Sequence, residues 1–216
     1  MRTTPIAALI AFLINIDSAT PVALLDADTV NQPLRPLLNT PNGGDLIGLT
    51  NHKTKGLNRQ EIESYAITHS PIPLLTAAPT NTTEFSAHSL ETAIHRSQHR
   101  WPTIIINLPY TCSKETITAG LELSTHSFHV APPKPTRYSW PHVHNPALDE
   151  KLASNQATVL LTSKNSGIDG PNTLYLPYAE HYFSLQGPLE VLRDPHSLTQ
   201  FRRILSRVYP RTTAFA

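Results

Sequence analysis

The stretch 21–32, PVALLDADTVNQ, constrains the fold of this chain more than any other. Residues 22–25 form a short, unbroken apolar run, the pattern of a strand buried on both faces of a parallel sheet. The run ends in Asp26-Ala27-Asp28, two carboxylates two positions apart. Open α/β sheets bind ligands at the carboxyl ends of their strands, so acids there stand where a metal or phosphate arrives. The same two acids would also serve to cap the turn and helix that follow. The pattern alone leaves both readings open. A second run, 103–106, ends in Asn107-Leu108-Pro109-Tyr110. Two such runs, with helical segments between them, describe one sheet edge lined for chemistry.

The rest of the chain alternates in the same way. Residues 6–16, IAALIAFLINI, are too few to span a bilayer as a helix. They read either as a signal-peptide core or as a buried amphipathic helix with Pro5 in its first turn. Asp17 interrupts the place where a cleavage site would fall. Short helices are expected at 33–38 and 45–49, separated by a turn at 40–44. Asn58 is placed to cap a helix over 59–67, with Glu61 completing a capping-box pair. A strand at 72–76 and a loop at 79–83 lead to a helix over 85–99, whose apolar residues 87, 90, 93 and 94 share one face. After the 103–106 strand come a helix at 114–123, a strand at 128–131 and a proline-rich loop at 132–146. Helical turns at 147–153, a strand at 158–162, a glycine-containing connection at 164–172, a strand at 174–176 and a helix at 197–208 complete the pattern. Strands alternating with helices predict one α/β domain, 1–216, with a mostly parallel sheet covered on both faces.

Composition narrows the chemistry. Hydrophobic residues make up 39% of the chain and charged residues 15%, enough apolar material for a packed core. A net charge of +1, with only Arg202 and Arg203 adjacent, gives no electrostatic basis for nucleic-acid binding. The single cysteine, Cys112, excludes an internal disulfide and reads as an inert loop thiol. The 20 prolines punctuate segment ends. Of the 11 histidines, His95 and His99 have a helical spacing that can hold zinc, while His126 and His129 flank an expected strand, and His142 and His144 flank Val143. No carboxylate or cysteine completes any of these pairs, so they read as surface composition.

Four stretches carry a family resemblance: LLDAD, IIINLP, AGLELSTHSFHVAPP and LYLPYAEHYFSLQGPLEVLRD. In that order they resemble the ParA/MinD family of deviant P-loop ATPases, over nearly the whole chain. LLDAD resembles the family's Asp-x-Asp strand and IIINLP its Walker B strand. The last stretch resembles the end of MinD-like proteins from actinobacterial type VII (ESX) secretion loci. The resemblance implies a Rossmann-like parallel sheet, ATP and Mg²⁺ as ligands, a cytoplasmic location, and a homodimer or protein partner. That partner would belong to chromosome partitioning or a secretion machine.

Carried over residue by residue, the resemblance puts Arg2 and Thr3 at the phosphate-binding Lys-Thr, with Thr3 and Asp26 at the Mg²⁺ shell. Asp28, with Asp26, falls at the attacking-water position. Asn107 takes the place of the Walker B acid, and Thr162 that of the adenine-side Asn. The chain departs from the family at several of these points. The strand and glycine-rich loop that precede Lys-Thr in the family are absent from 1–216, and the missing strand would have lain beside the Walker B strand. A guanidinium replaces a compact ammonium at Arg2, and Asn107 supplies an oxygen without charge where Mg²⁺ favours a carboxylate. Two expectations follow. One is a degenerate member that has lost ATP turnover and acts as an interaction module. The other is an active ATPase whose phosphate-binding loop is encoded ahead of Met1.

Overall fold

The computed structural model describes residues 3–18, 20–54, 56–131, 145–161, 172–176 and 187–208. Within them the chain alternates helices and strands: α1 Thr3–Ser18, β1 Val22–Asp26, α2 Leu34–Leu38, α3 Leu46–Asn51, α4 Arg59–Ser64, β2 Leu74–Leu75 and α5 Ala87–Gln98. There follow β3 Thr103–Asn107, α6 Lys114–Leu123, β4 Ser127–Ala131, α7 Pro146–Ala153, β5 Ala157–Leu161, β6 Thr173–Tyr175, α8 Gly187–Arg193 and α9 Pro195–Leu205. All strand pairs are parallel, and helices flank the sheets, as the α/β reading requires.

The strands do not form one ladder. They fall into two three-stranded sheets, ordered β2-β1-β3 and β4-β5-β6. Among the described residues β3 ends the first sheet and β4 ends the other. Helix α1 serves both. Its residues Thr4 to Ile14 are all buried, and Ile6 to Ile14 share one apolar cluster with Val22 and Leu24 of β1, Leu160 of β5, Leu174 of β6 and Phe201 of α9. Ile105 of β3 and Phe128 and Val130 of β4 pack against the same cluster. The amphipathic helix expected at 6–16 is therefore corrected to one buried nearly all round. Its surroundings explain this: β1 and β3 cover one side, while α2, α8 and α9 cover others, and a helix enclosed in this way needs no polar face. Arg202 on α9 fixes the last turn of α1 through two bonds to Asp17, 2.8 and 2.9 Å.

The opposite face of the first sheet carries a second cluster. Ala23, Leu25, Leu75, Leu90 and Trp101 are buried there, with Ile104 and Ile106 of β3 packed alongside. Local signals set most element ends. Asn58 caps α4 with Glu61 answering it, as the capping-box spacing predicts, although the helix stops at Ser64. Ser86, Ser113, Asn145 and Asp194 cap the later helices through their side chains.

Some boundaries differ from expectation. Only Leu74 and Leu75 of the 72–76 run join the ladder, because Pro73 has no N–H to give, although its carbonyl accepts from Leu24 N at 2.9 Å. The Gly187-Pro188 step opens a helix, α8, that the sequence reading passed over. A proline in the first turn begins a helix as readily as it breaks one. The loop over 132–144 and most of the connection 164–172 lie outside the described residues.

Candidate functional site

The carboxyl ends of β1 and β3 build the site. Asp26 and Asn107 are register partners, both with no exposed surface. Asn107 Nδ2 donates to Asp26 Oδ1 at 3.0 Å, and the backbone N–H of Leu34 donates to Asp26 Oδ2 at 3.0 Å. Both carboxylate oxygens are thus engaged by protein donors, one from the neighbouring strand and one from the start of α2. Burial pushes the Asp26 carboxyl up to about 7, with the charge of Asp28 adding to it and the two hydrogen bonds opposing it. Asn107 Oδ1 is buried with no protein partner among the described residues.

Asp28 is held differently. It accepts Asn31 N at 2.9 Å, Asn31 Nδ2 at 2.9 and 3.1 Å, and Thr111 Oγ1 at 2.5 Å. Burial alone would raise its carboxyl, but the bonds from Thr111 and Asn31 outweigh burial and hold it below the usual range. Two acids two residues apart are therefore pushed in opposite directions. Asp26 takes up a proton near neutral pH, and Asp28 stays ionised.

The loops around them are tied together. Thr111, in the turn after β3, clips that turn to the loop after β1 through Asp28. Thr29 Oγ1 donates to Thr83 O at 2.6 Å and Asn81 Nδ2 to Thr29 O at 3.1 Å, which adds the loop after β2. Arg35 reaches from α2 to the carbonyls of Gly43 and Ala77, both at 2.5 Å. Gln32, at φ +46°, donates to Thr29 O and Ala78 O. Together these loops enclose a cleft of about 100 Å³, with Asp28, Asn31, Glu84 and Thr111 on its walls. Val30 and Tyr110 stand exposed at this end of the sheet, 44% and 63%.

The structure brings Asp26, Asp28 and Asn107 together. Thr3 lies at the start of α1, half-buried. Arg2 and Thr162 lie outside the described residues. Cys112, in the same turn as Thr111, has its thiol pushed up to about 12 by burial and the nearby acids, which makes it a poor nucleophile. Among the described residues no group of three or more His, Cys, Asp or Glu is arranged to hold a metal ion. None of the helices there is long and apolar enough to cross a membrane.

Sequence reading passed over Asn31, Thr111 and Arg35. Asn31 carried a local signal, since a donor three residues after an Asp at a strand end forms an Asx-type turn. Thr111 carried none, because its partner lies 83 residues away, and the bond from Arg35 to Ala77 spans 42 residues.

No protein-family model matches the chain, and no curated protein matches it in sequence. Solved structures do match in fold. A ParA family ATPase from Chlorobium tepidum TLS superposes with a TM-score of 0.67 at 16% identity, over 92% of this chain and 90% of that one. The MinC:MinD cell division protein complex of Aquifex aeolicus gives 0.65 at 14% identity, over 94% and 90%. A plasmid partition protein from Borrelia burgdorferi B31, bound to AMPPNP, gives 0.55 at 14% identity, over 95% and 92%.

Proposed function

We propose, from a fold shared with ParA and MinD ATPases, that residues 1–216 act as an interaction module that binds Mg-ATP weakly and does not turn it over. The observation that carries this reading is the state of Asp26. A Mg²⁺ ligand needs a charged oxygen directed at the ion. Asp26 has no exposed surface, gives both oxygens to Asn107 and Leu34, and is only partly ionised near pH 7. Its neighbour Asn107 contributes no charge, and a cleft of about 100 Å³ is small beside the roughly 300–1,000 Å³ typical of small-molecule sites. In this reading the pairing of Asp26 with Asn107 and Leu34 is a poor donor set for a magnesium nucleotide.

The surface left for interaction is the strand-end edge, where Val30 and Tyr110 are exposed in the loops that also hold Asp28 and Thr111. The occupant in this reading is a protein partner or a second copy, in the cytoplasm. The tail motifs favour a secretion-associated setting. Calorimetric titration of the purified chain with Mg-ATP tests the proposal. Heats too small to fit are expected, and micromolar affinity would defeat it.

A second reading has one observation in its favour. Asp28 is kept ionised at the cleft wall by three donor groups, as an ATPase acid would be. In that reading the phosphate-binding loop is encoded ahead of Met1. The DNA upstream decides it: an in-frame glycine-rich loop supports an active enzyme, and its absence leaves the interaction module.

A further inference from the structure

We infer that His95 and His99, on the solvent face of α5, form a binding site for one divalent ion of the zinc, nickel or copper class. The site is separate from the strand-end acids. Helix α5 leads through Trp101 into the start of β3, whereas Asn107 closes that strand. The last turn of α5 therefore stands at the opposite end of the sheet from Asp26 and Asn107.

The sequence reads its histidine pairs as surface composition, and the structure separates one pair from the rest. Helix α5 covers Ala87–Gln98, and His99 continues it in helical conformation, at φ −67° and ψ −20°. His95 and His99 are thus four residues apart on unbroken helix, where such side chains stand about 5–6 Å apart at Cβ. Two imidazoles at this spacing on one helical face can share a zinc ion. Leu90, Ala93, Ile94 and Ser97 are buried and turn that face outward. Both histidines are exposed, and neither ring has a hydrogen-bond or ring partner among the described residues. The other pair in view is not free in this way. His126 Nε2 meets Thr158 Oγ1 at 3.0 Å and its ring lies 4.9 Å from that of Phe128, while His129 has an interaction of its own. His142 and His144 lie outside the described residues.

The charges nearby do not close the site. Arg96 and Arg100 oppose a cation, but both are drawn to other elements. The Arg96 guanidinium donates to the carbonyls of Leu49 and His52, at the end of α3. Arg100 pairs with Glu63 of α4 at 3.1 Å and lies 5.6 Å over the Trp101 ring. On the favourable side, Glu91 is exposed one turn ahead of His95. The last carbonyls of α5 add the negative pole of a helix, which attracts a cation held in that turn. Among the described residues no third His, Cys, Asp or Glu is placed to complete a ligand set. Two protein donors leave the remaining positions to water, so the ion is exchangeable, unlike one in a closed structural centre. Imidazole donors suit zinc, nickel and copper, whereas magnesium favours carboxylate and water oxygen.

The test titrates the tag-free 1–216 chain with zinc chloride in a calorimeter, with magnesium chloride in excess. Saturable binding of one ion is expected. His95→Gln and His99→Gln should each weaken it by about tenfold or more, because each removes one arm of a two-armed ligand. His88→Gln, at an exposed position of the same helix, should leave the affinity unchanged. All three changes fall on exposed side chains, and circular dichroism confirms that the variants keep their fold. Nickel chloride followed by NMR reads the location, with the ring signals of His95 and His99 broadened before those of other histidines. Equal zinc affinity in wild type, His95→Gln and His99→Gln overturns the inference. So does early nickel broadening confined to other histidines, or zinc binding that excess magnesium abolishes.

Discussion

Strands β1 and β3 run side by side in register, VALLD against TIIIN, yet all of β1 is buried while β3 is half-exposed until Asn107. By composition β3 is the more strongly β-forming of the two. Neighbours make the difference: among the described residues β1 has a ladder on each edge, whereas β3 pairs with β1 alone. Burial of a strand is thus a property of its place in the sheet, and isoleucine content does not report it.

The sharpest break in this comparison is a pair of truncations. Leu24→Ala removes a fully buried side chain between α1 and β2, and is expected to cost about 2–5 kcal/mol. Ile105→Ala, on the same face of β3, leaves a half-solvated site and should cost about 1–2 kcal/mol. Urea denaturation of both variants measures the two values. Equal losses would show that β3 is as enclosed as β1.

The acids at the two strand ends give the next largest effect. The folded-state value of Asp26 is raised to about 7, against about 4 for an unfolded carboxyl. Between these values the folded chain holds a proton that the unfolded chain has lost, so stability falls as pH rises. From pH 5 to pH 8 this loss is on the order of 3 kcal/mol. His126, lowered by burial and nearby positive charge, acts in the opposite sense at the acid end, and is common to all variants. Asp26→Asn should remove the fall, because an amide at 26 cannot ionise and can donate to the buried Asn107 Oδ1. Thermal melts of both proteins from pH 5 to 8 test this. A wild-type curve that stays parallel to that of Asp26→Asn would refute the raised value.

The α/β alternation, the capping box at Asn58 and Glu61, and the closeness of Asp26 to Asn107 were legible in the sequence, because each rests on a local pattern or on two strand ends. The break between β3 and β4 followed only from the family resemblance, since TIIIN reads the same inside a sheet and at its border. The opposite fates of Asp26 and Asp28 were not legible at all. They depend on Leu34, Asn31 and Thr111, and the last of these reaches Asp28 across 83 residues. A sequence window shows which groups can ionise, but burial and distant donors decide which of them do.

Thr111 supplies the smallest and most selective test, because it is the hydrogen bond by which the turn after β3 holds the loop after β1. Its hydroxyl donates to Asp28 Oδ2, while Asn31 engages the same carboxylate from within the β1 loop. Thr111→Val keeps the shape and removes the donor. A hydrogen bond to a charged group contributes about 1.5–3 kcal/mol when fully enclosed, and Asp28 retains slight exposure, so a loss of about 1–2 kcal/mol is expected. The variant should also let the Asp28 carboxyl rise towards its ordinary value, since one of the bonds holding it down is gone. Carboxyl titration followed by NMR reads that shift separately from the stability loss. A lowered stability with no change in Asp28 would mean that Thr111 merely packs the turn, and that the two strand ends are coupled through Asp26 and Asn107 alone.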